Sequence, residues 1–226
     1  MHKKAVIFDL DGTLTVGKFP NKEVYMQYKL RLYNALVSFD KRLENILKPD
    51  DFLYRMRFLA REFFKNNALM KAKVTQIADE IIDEYGVYAQ KFFKPDPHAK
   101  EVIKSLKDNS IKIGICTFSS RRIAYQTLRK IGIFDLIDVI LCRDDVEYPK
   151  PDPRHLLDTV SRLQVTPKEA LYVGDSAYDV ECAKAAGIDV VIIVRDLNTN
   201  KKYDVPVIYD LRDILKIIGI SAHSFS

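Results

Sequence analysis

Val6-Ile7-Phe8-Asp9-Leu10-Asp11-Gly12-Thr13 is an apolar run that stops abruptly at two carboxylates and a glycine. Its length and composition are those of a buried β-strand, and the abrupt end marks a tip that opens into a site. Alternate side chains of an extended segment share a face, so Asp9 and Asp11 project the same way if the strand continues and differently once Gly12 bends it. In either case the carboxylates lie close together, and like charges so placed raise each other's pKa unless a cation or hydrogen bonds intervene. The pair points to a hard metal ion, to split protonation states, or to both. The competing reading is an ordinary Asp-Gly turn at a strand end.

Beyond Thr13 the pattern changes to helical periodicity as far as about residue 93. Met26, Leu30, Tyr33 and Val37 fall on one face of a first helix, Phe52, Met56, Leu59 and Phe63 line a second, and Val74, Ile77, Ile81 and Tyr85 a third. Pro49-Asp50-Asp51 and Asn66-Asn67 separate them as turns or caps. The spacing predicts a small antiparallel bundle, residues 16–93, inserted into a second domain built from residues 1–15 and 94–226, with linkers near 15–20 and 93–97. Aromatic residues at helical spacing are expected in its core, and Arg55, Arg57 and Arg61 mostly on a solvated face.

From Asp96 onward helices and strands alternate. Ala99, Val102, Ile103 and Leu106 mark a helix, 111–116 a strand, Ile123, Thr127, Leu128 and Ile131 a helix, and 139–142 a strand. Asp152-Pro153 opens a helix carrying Leu156, Leu157, Val160 and Leu163, and Thr166-Pro167-Lys168-Glu169 has the form of a capping box before a strand at 170–173. A helix with Val180, Ala183 and Ala186 closes at Gly187, strands follow at 190–194 and 205–209, and a helix at 211–218 ends the pattern. This alternation predicts an α/β fold: an open, doubly wound, Rossmann-like parallel sheet with right-handed crossovers and helices on both faces. In such a sheet the ligand sits beyond the carboxyl ends of the strands.

The bulk composition agrees with an ordinary globular chain. Of 226 residues, 47% are hydrophobic and 30% charged, with eight glycines and nine prolines, so neither disorder nor a fibrous repeat is indicated. The net charge of +5 is spread among acids rather than gathered in a run, which suits a small anionic substrate at least as well as nucleic acid. Cys116, Cys142 and Cys182 lack metal-ligand spacing and read as buried thiols of a reducing compartment. His2, His98, His155 and His223 form no zinc pattern. No stretch approaches the roughly 20 apolar residues of a membrane span, so a cytoplasmic protein is expected.

Four strand tips carry polar chemistry. The first gives Asp9 and Asp11. The strand ending at Cys116 runs into Thr117-Phe118-Ser119-Ser120, where hydroxyls and backbone N–H groups precede a helix and favour an anion. After Cys142, Lys150 stands between Pro149 and Pro151. Tyr172-Val173-Gly174 ends in Asp175, with Asp179 one helical turn later.

Together these resemble the haloacid dehalogenase (HAD) superfamily over nearly the whole chain. Asp9-Leu10-Asp11-Gly12-Thr13 is similar to its first motif, Thr117 to its second, Lys150 in Lys-Pro-Asp-Pro to its third, and Gly174-Asp175-Ser176-Ala177-Tyr178-Asp179 to its fourth. An insert directly after the first motif resembles the family's helical cap, which closes over the site and reads the leaving group. The resemblance implies Asp9 as nucleophile, Asp11 as acid and base, Thr117 and Lys150 holding phosphate, and Asp175 and Asp179 serving Mg2+. The layout is like that of phosphoglycolate phosphatases. Phe118 departs from the Asn or Gly that many members carry there, and Thr15-Val16-Gly17 match the start of no one subgroup's insert.

The chemistry fits these residue types. A carboxylate can attack phosphorus to form an aspartyl-phosphate, splitting the reaction in two. Magnesium takes oxygen ligands in octahedral array; Asp9 and Asp175 are the expected direct ligands, a backbone carbonyl near Asp11 a third, and Asp179 a ligand through water. Lys150 adds fixed positive charge, and Thr117, Phe118 and Ser119 add donors to the phosphoryl oxygens. Asp11 then faces the leaving-group oxygen, protonated as the ester leaves and ionised as water is activated, with Thr13 fixing its orientation. Dehalogenases resembling this fold lack an acid there, so Asp11 favours phosphoryl transfer. The expectation is a magnesium-dependent phosphatase of a small phosphorylated metabolite. The rivals are a phosphomutase or a non-catalytic binding protein of the same fold; a phosphonatase would need a Schiff-base lysine such as Lys18, Lys22 or Lys29. Neither nucleic acid nor membrane is an expected partner, and the oligomeric state is not read.

Overall fold

The structure is a computed structural model and describes residues 3–17, 21–195 and 203–220; His2, Lys18 and His223 lie outside the described residues. The chain divides into two compact units, Met1–Lys18 with Phe93–Ser226, and Phe19–Phe92.

The first unit is built on a six-stranded parallel sheet. Its strands are β1 (Ala5–Phe8), β4 (Lys112–Cys116), β5 (Val139–Leu141), β6 (Ala170–Gly174), β7 (Asp189–Ile193) and β8 (Val207–Ile208), in the order β5-β4-β1-β6-β7-β8. β1 is central and buried along its whole length, as an uninterrupted apolar run requires when both faces are covered. The two-residue side-chain period then sorts the core. Val6 and Phe8 of β1 join Ile113, Ile115, Leu171 and Val173 on one face, under α4 (Ala99–Asp108), α5 (Arg121–Ile131) and α8 (Asp213–Ile217). Ala5 and Ile7 join Tyr172, Val190 and Ile192 on the other, under α6 (Pro153–Arg162) and α7 (Ala177–Ala185). The doubly wound α/β arrangement is as the sequence predicts.

Helix starts are set where the sequence places them. Asp152 caps α6, accepting from the Arg154 N–H at 2.9 Å, with Pro153 in the first turn. Thr166 and Glu169 form the capping box of a 3₁₀ turn, Pro167–Glu169, leading into β6.

Two short strands that periodicity does not announce, β2 (Thr15–Gly17) and β3 (Phe93–Pro95), pair antiparallel with Thr15 opposite Pro95 and Gly17 opposite Phe93. Within the segments expected as linkers, residues 15–17 and 93–95 are paired strands of the first unit, and the second unit spans Phe19–Phe92.

The second unit packs three helices, α1 (Lys22–Phe39), α2 (Leu53–Phe63) and α3 (Ala68–Ala89), on one another, with a 3₁₀ turn at Lys41–Asn45. Its buried faces differ from those expected. Lys29, Leu32 and Leu36 are the buried residues of α1, while Met26 and Leu30 are exposed; in α2, Leu53, Met56 and Ala60 are buried, while Phe52 and Phe63 are exposed. Each helix of a bundle meets two neighbours, so apolar residues occur round most of its circumference and no single stripe is unique. In α3, Val74 and Ile81 are buried as predicted.

Arg57 and Arg61 are also buried rather than solvated. Arg57 donates to Asp79 from Nε at 2.7 Å and from a terminal nitrogen at 3.2 Å, a two-pronged tie between α2 and α3. Arg31 makes a similar pair to Glu84 between α1 and α3, one bond at 2.9 Å.

Cys116, Cys142 and Cys182 are buried free thiols, as expected. Among the described residues, no helix is long and apolar enough to cross a membrane.

Candidate active site

The strand order places the tips of β4, β1 and β6 side by side, with that of β5 next to them. Four polar stretches more than 160 residues apart in sequence at their extremes are thereby brought to one edge. Asp9 follows β1 directly, its N–H donating to Val173 O at 2.8 Å. The chain then folds into a tight turn in which Leu10 O accepts from the N–H groups of Leu14 at 3.0 Å and Thr15 at 3.2 Å. Gly12 sits at φ +86°, and a Cβ there would stand 2.3 Å from Asp175 Oδ2, so only glycine lets the loop and this carboxylate meet.

Asp9, Asp175 and Asp179 each offer an oxygen within 4.8 Å of the others. Lys150 lies among them. Its Nζ is 2.9 Å from Asp9 Oδ1, 2.8 Å from Asp179 Oδ1 and 2.7 Å from the Tyr172 hydroxyl, which accounts for all three N–H groups of an ammonium. The lysine expected to hold phosphate is thus aimed at protein partners and fixes the Asp9 carboxylate.

Asp179 is the most fully bonded of the acids. Oδ1 accepts from Lys150 and from the Tyr172 hydroxyl at 2.7 Å, and Oδ2 from the N–H of Asp175 at 3.2 Å and from Ser176 N–H at 3.0 Å and Oγ at 2.6 Å. It locks the start of α7 to the lysine.

Asp11 stands apart from that cluster. Ser119 Oγ donates to Asp11 Oδ2 at 2.6 Å, while the Ser119 N–H donates to Thr117 Oγ1 at 3.1 Å. Ser119, expected as an anion donor, holds the acid through its hydroxyl. Thr13, expected to orient Asp11, makes no bond to it: its hydroxyl is buried without a hydrogen-bond partner. The Phe118 ring lies 5.5 Å from the Arg143 guanidinium, a cation–π contact beside Ser119.

The charges explain what the cluster requires. Burial pushes Asp9 up to about 6, opposed by Lys150 and reinforced by Asp179 and Asp11. Burial and the charges of Asp9 and Asp179 raise Asp175 well above the usual carboxylate range. Asp11 is raised by burial, against the Ser119 hydrogen bond and Lys150. Asp179 alone is held low: against the cost of burial stand the charge of Lys150 and the bonds from Lys150, Ser176 and Tyr172. Lys150 stays charged, burial notwithstanding, because Asp179 and Asp9 flank it. One ammonium for several acids leaves Asp9 and Asp175 short of positive charge, and an all-oxygen donor set of this kind suits a hard divalent cation.

The haloacid dehalogenase-like hydrolase family matches residues 3–187. The chain belongs to this family. Among curated relatives, the pyrophosphatase PpaX of Halalkalibacterium halodurans is 27% identical over 98% of this chain and 100% of its own length. The phosphoglycolate phosphatase of Salmonella typhi is 27% identical over 96% of this chain and 93% of its own. The crystal structure of a HAD phosphatase from Thermococcus onnurineus is similar at TM-score 0.59 and 28% identity, covering 96% of this chain and 98% of that one.

In this HAD hydrolase the motif positions meet where the tips meet, while several supporting residues escape the motif reading. Tyr172 is the hydroxyl within an otherwise apolar buried strand, a mismatch visible in Ala170-Leu171-Tyr172-Val173-Gly174. His155 is fully buried, its Nδ1 accepting from the Lys150 N–H at 3.2 Å and Nε2 lying 3.1 Å from Leu141 O, so it fixes the lysine's backbone to the β5 tip. Nothing in its spacing marks it.

Proposed function

We propose that the chain is a magnesium-dependent phosphatase that hydrolyses a small phosphomonoester through an aspartyl-phosphate on Asp9. The observation that carries this reading is the convergence of Asp9, Asp175 and Asp179 within 4.8 Å around Lys150, with Asp11 held separately by Ser119. The names of the PpaX pyrophosphatase and phosphoglycolate phosphatase relatives support hydrolysis of a phosphoryl group.

Lys150 binds Asp9 through Oδ1, making its two oxygens unequal and orienting the carboxylate for attack. An Asp9 oxygen forms a bond to phosphorus as the ester P–O bond breaks, and the Asp11 carboxyl proton passes to the departing oxygen. Asp11, now a carboxylate, takes a proton from water as the water oxygen attacks phosphorus, releasing Asp9 and inorganic phosphate. Ser119 holds Asp11 Oδ2, which leaves Oδ1 for the proton. The raised pKa of Asp11 keeps its acid form within reach at the start of the cycle.

Asp9 and Asp175, with the Asp11 backbone carbonyl, would hold Mg2+, and Asp179 would act on it through water. Bound there, the ion supplies the positive charge that lets an anionic nucleophile approach an anionic phosphate. Asp179, committed to five donors, keeps Lys150 and the residues 175–176 in place.

The test is release of p-nitrophenol from p-nitrophenyl phosphate, and of phosphate from a panel of sugar, nucleotide and glycolate phosphates, with Mg2+ or with EDTA. Turnover with Mg2+, lost in EDTA and in Asp9→Asn, is expected. Absence of turnover across the panel favours a binding protein, and full activity in Asp9→Asn contradicts the nucleophile assignment.

A further inference from the structure

Arg195 lies just beyond β7 and belongs to none of the motifs, yet its guanidinium reaches the loop that carries the two acids. Nε donates to Gly12 O at 3.2 Å and one terminal nitrogen donates to Thr13 O. The other terminal nitrogen pairs with Asp96 Oδ2 at 2.7 Å. Asp96 is almost fully buried; its Oδ1 accepts from the His98 N–H at 2.7 Å, and its own N–H donates to Leu14 O at 3.0 Å. One guanidinium thus joins the acid loop, the stretch between β3 and α4, and the end of β7.

The loop's internal bonds shape it without placing it. Leu14 and Thr15 donate to Leu10 O, and the Gly12 N–H donates to Thr15 Oγ1 at 3.2 Å, all within residues 10–15. The Asp9 N–H bond to Val173 O ties the start of this segment to the sheet. At its far end, the carbonyls of Gly12 and Thr13 accept from Arg195. A planar fork held on one side by a buried carboxylate is a rigid donor, suited to fixing two successive carbonyls.

We propose that Arg195, oriented by Asp96, is a positioning residue for the candidate active site, setting where the 11–13 backbone stands against Asp9 and Asp175. The pair touches no reacting group. It acts through the loop: Asp11 precedes the clamped carbonyls by one residue, and Gly12 is the point at which the loop closes on Asp175. The catalytic part of this proposal rests on the phosphatase reading, whereas the clamp itself does not.

The experiment compares the full chain with Arg195→Met, Arg195→Lys and Asp96→Asn, reading hydrogen exchange of the peptide that covers residues 9–15 together with steady-state hydrolysis of p-nitrophenyl phosphate in Mg2+. Arg195→Met is expected to speed exchange in that peptide, and to lower kcat by on the order of 10²-fold with KM nearly unchanged, as misplacement of a catalytic group does. Arg195→Lys should recover only part of kcat, because an ammonium cannot reproduce the fork. Arg195→Met with Asp96→Asn should be no worse than Arg195→Met alone.

Unchanged exchange overturns the clamp. Faster exchange with unchanged kcat overturns the positioning role and leaves a stabilising contact. A wild-type chain that turns over no ester removes the phosphatase reading and the catalytic role with it, while exchange still decides the clamp. If Arg195→Met does not fold, Arg195→Lys and Asp96→Asn give the same two readings at smaller amplitude.

Discussion

Tyr172 shows how much of the site depends on a single oxygen. Its hydroxyl accepts from Lys150 and donates to Asp179 inside a fully buried strand. Tyr172→Phe removes it while keeping the ring, leaving the ammonium and the carboxylate each one partner short, a loss of about 1–3 kcal/mol for buried groups. The account predicts a lower melting temperature and about a tenfold loss of kcat with KM for p-nitrophenyl phosphate retained; unchanged kcat would make the hydroxyl incidental. His155 gives a pH signature. Burial, then the charge of Lys150, lowers it from 6.5 to about 4 in the folded chain. The unfolded chain then binds the extra proton first, so this contribution is complete above pH 6.5 and is lost as pH falls through 4. Its size is about 3 kcal/mol, from 1.36 kcal/mol per unit. Denaturant melts should show wild type losing about this much more unfolding free energy between pH 7 and pH 4 than His155→Asn does. Equal losses would show that His155 is not held neutral.

At the scale of the element, the junction of β6 with α7 admits no side chain. A Cβ on Gly174 would lie 2.4 Å from Asp179 Cγ and 2.5 Å from Asp179 Cβ, too near the backbone for a rotamer change to relieve. Gly174→Ala should therefore displace Asp179 from Lys150 and cost on the order of 10²-fold in kcat; a variant with wild-type kinetics would mean that the Lys150–Asp179 bond is dispensable. The same elements show what sequence can and cannot reveal. In α4 and α5 every predicted apolar position is buried, because a helix on a sheet presents one stripe. In α1 the stripe was misplaced, since Leu32 and Leu36 compete with Met26 and Leu30 and only the neighbouring helices choose. β2 and β3, three residues each, are too short for a period of two to register. The acids and the lysine were legible as strand-tip chemistry. Ser119 was legible as a strand-tip hydroxyl and Tyr172 as a polar residue in an apolar strand, but their bonds to Asp11 and to Lys150 and Asp179, like the role of Arg195, exist only in contacts across the fold.

For the whole molecule, topology is what turns separate motifs into one site. β1 lies between β4 and β6, so Asp9 and Asp11 have Thr117 and Ser119 on one side and Asp175 and Asp179 on the other, with Lys150 brought in from beyond β5. Parallel strands with helices on both faces bring their carboxyl ends to one edge, which is where sheets of this kind bind ligands. The central claim is that the carboxylate at the middle of that edge becomes phosphorylated during turnover. Acid quenching of the full chain during hydrolysis of p-nitrophenyl phosphate in Mg2+, followed by peptide mass analysis, tests it most directly. The account predicts the added mass of one phosphoryl group on the peptide containing Asp9, absent in EDTA and in Asp9→Asn; a phosphoryl group on another residue, or sustained hydrolysis by Asp9→Asn, would contradict it.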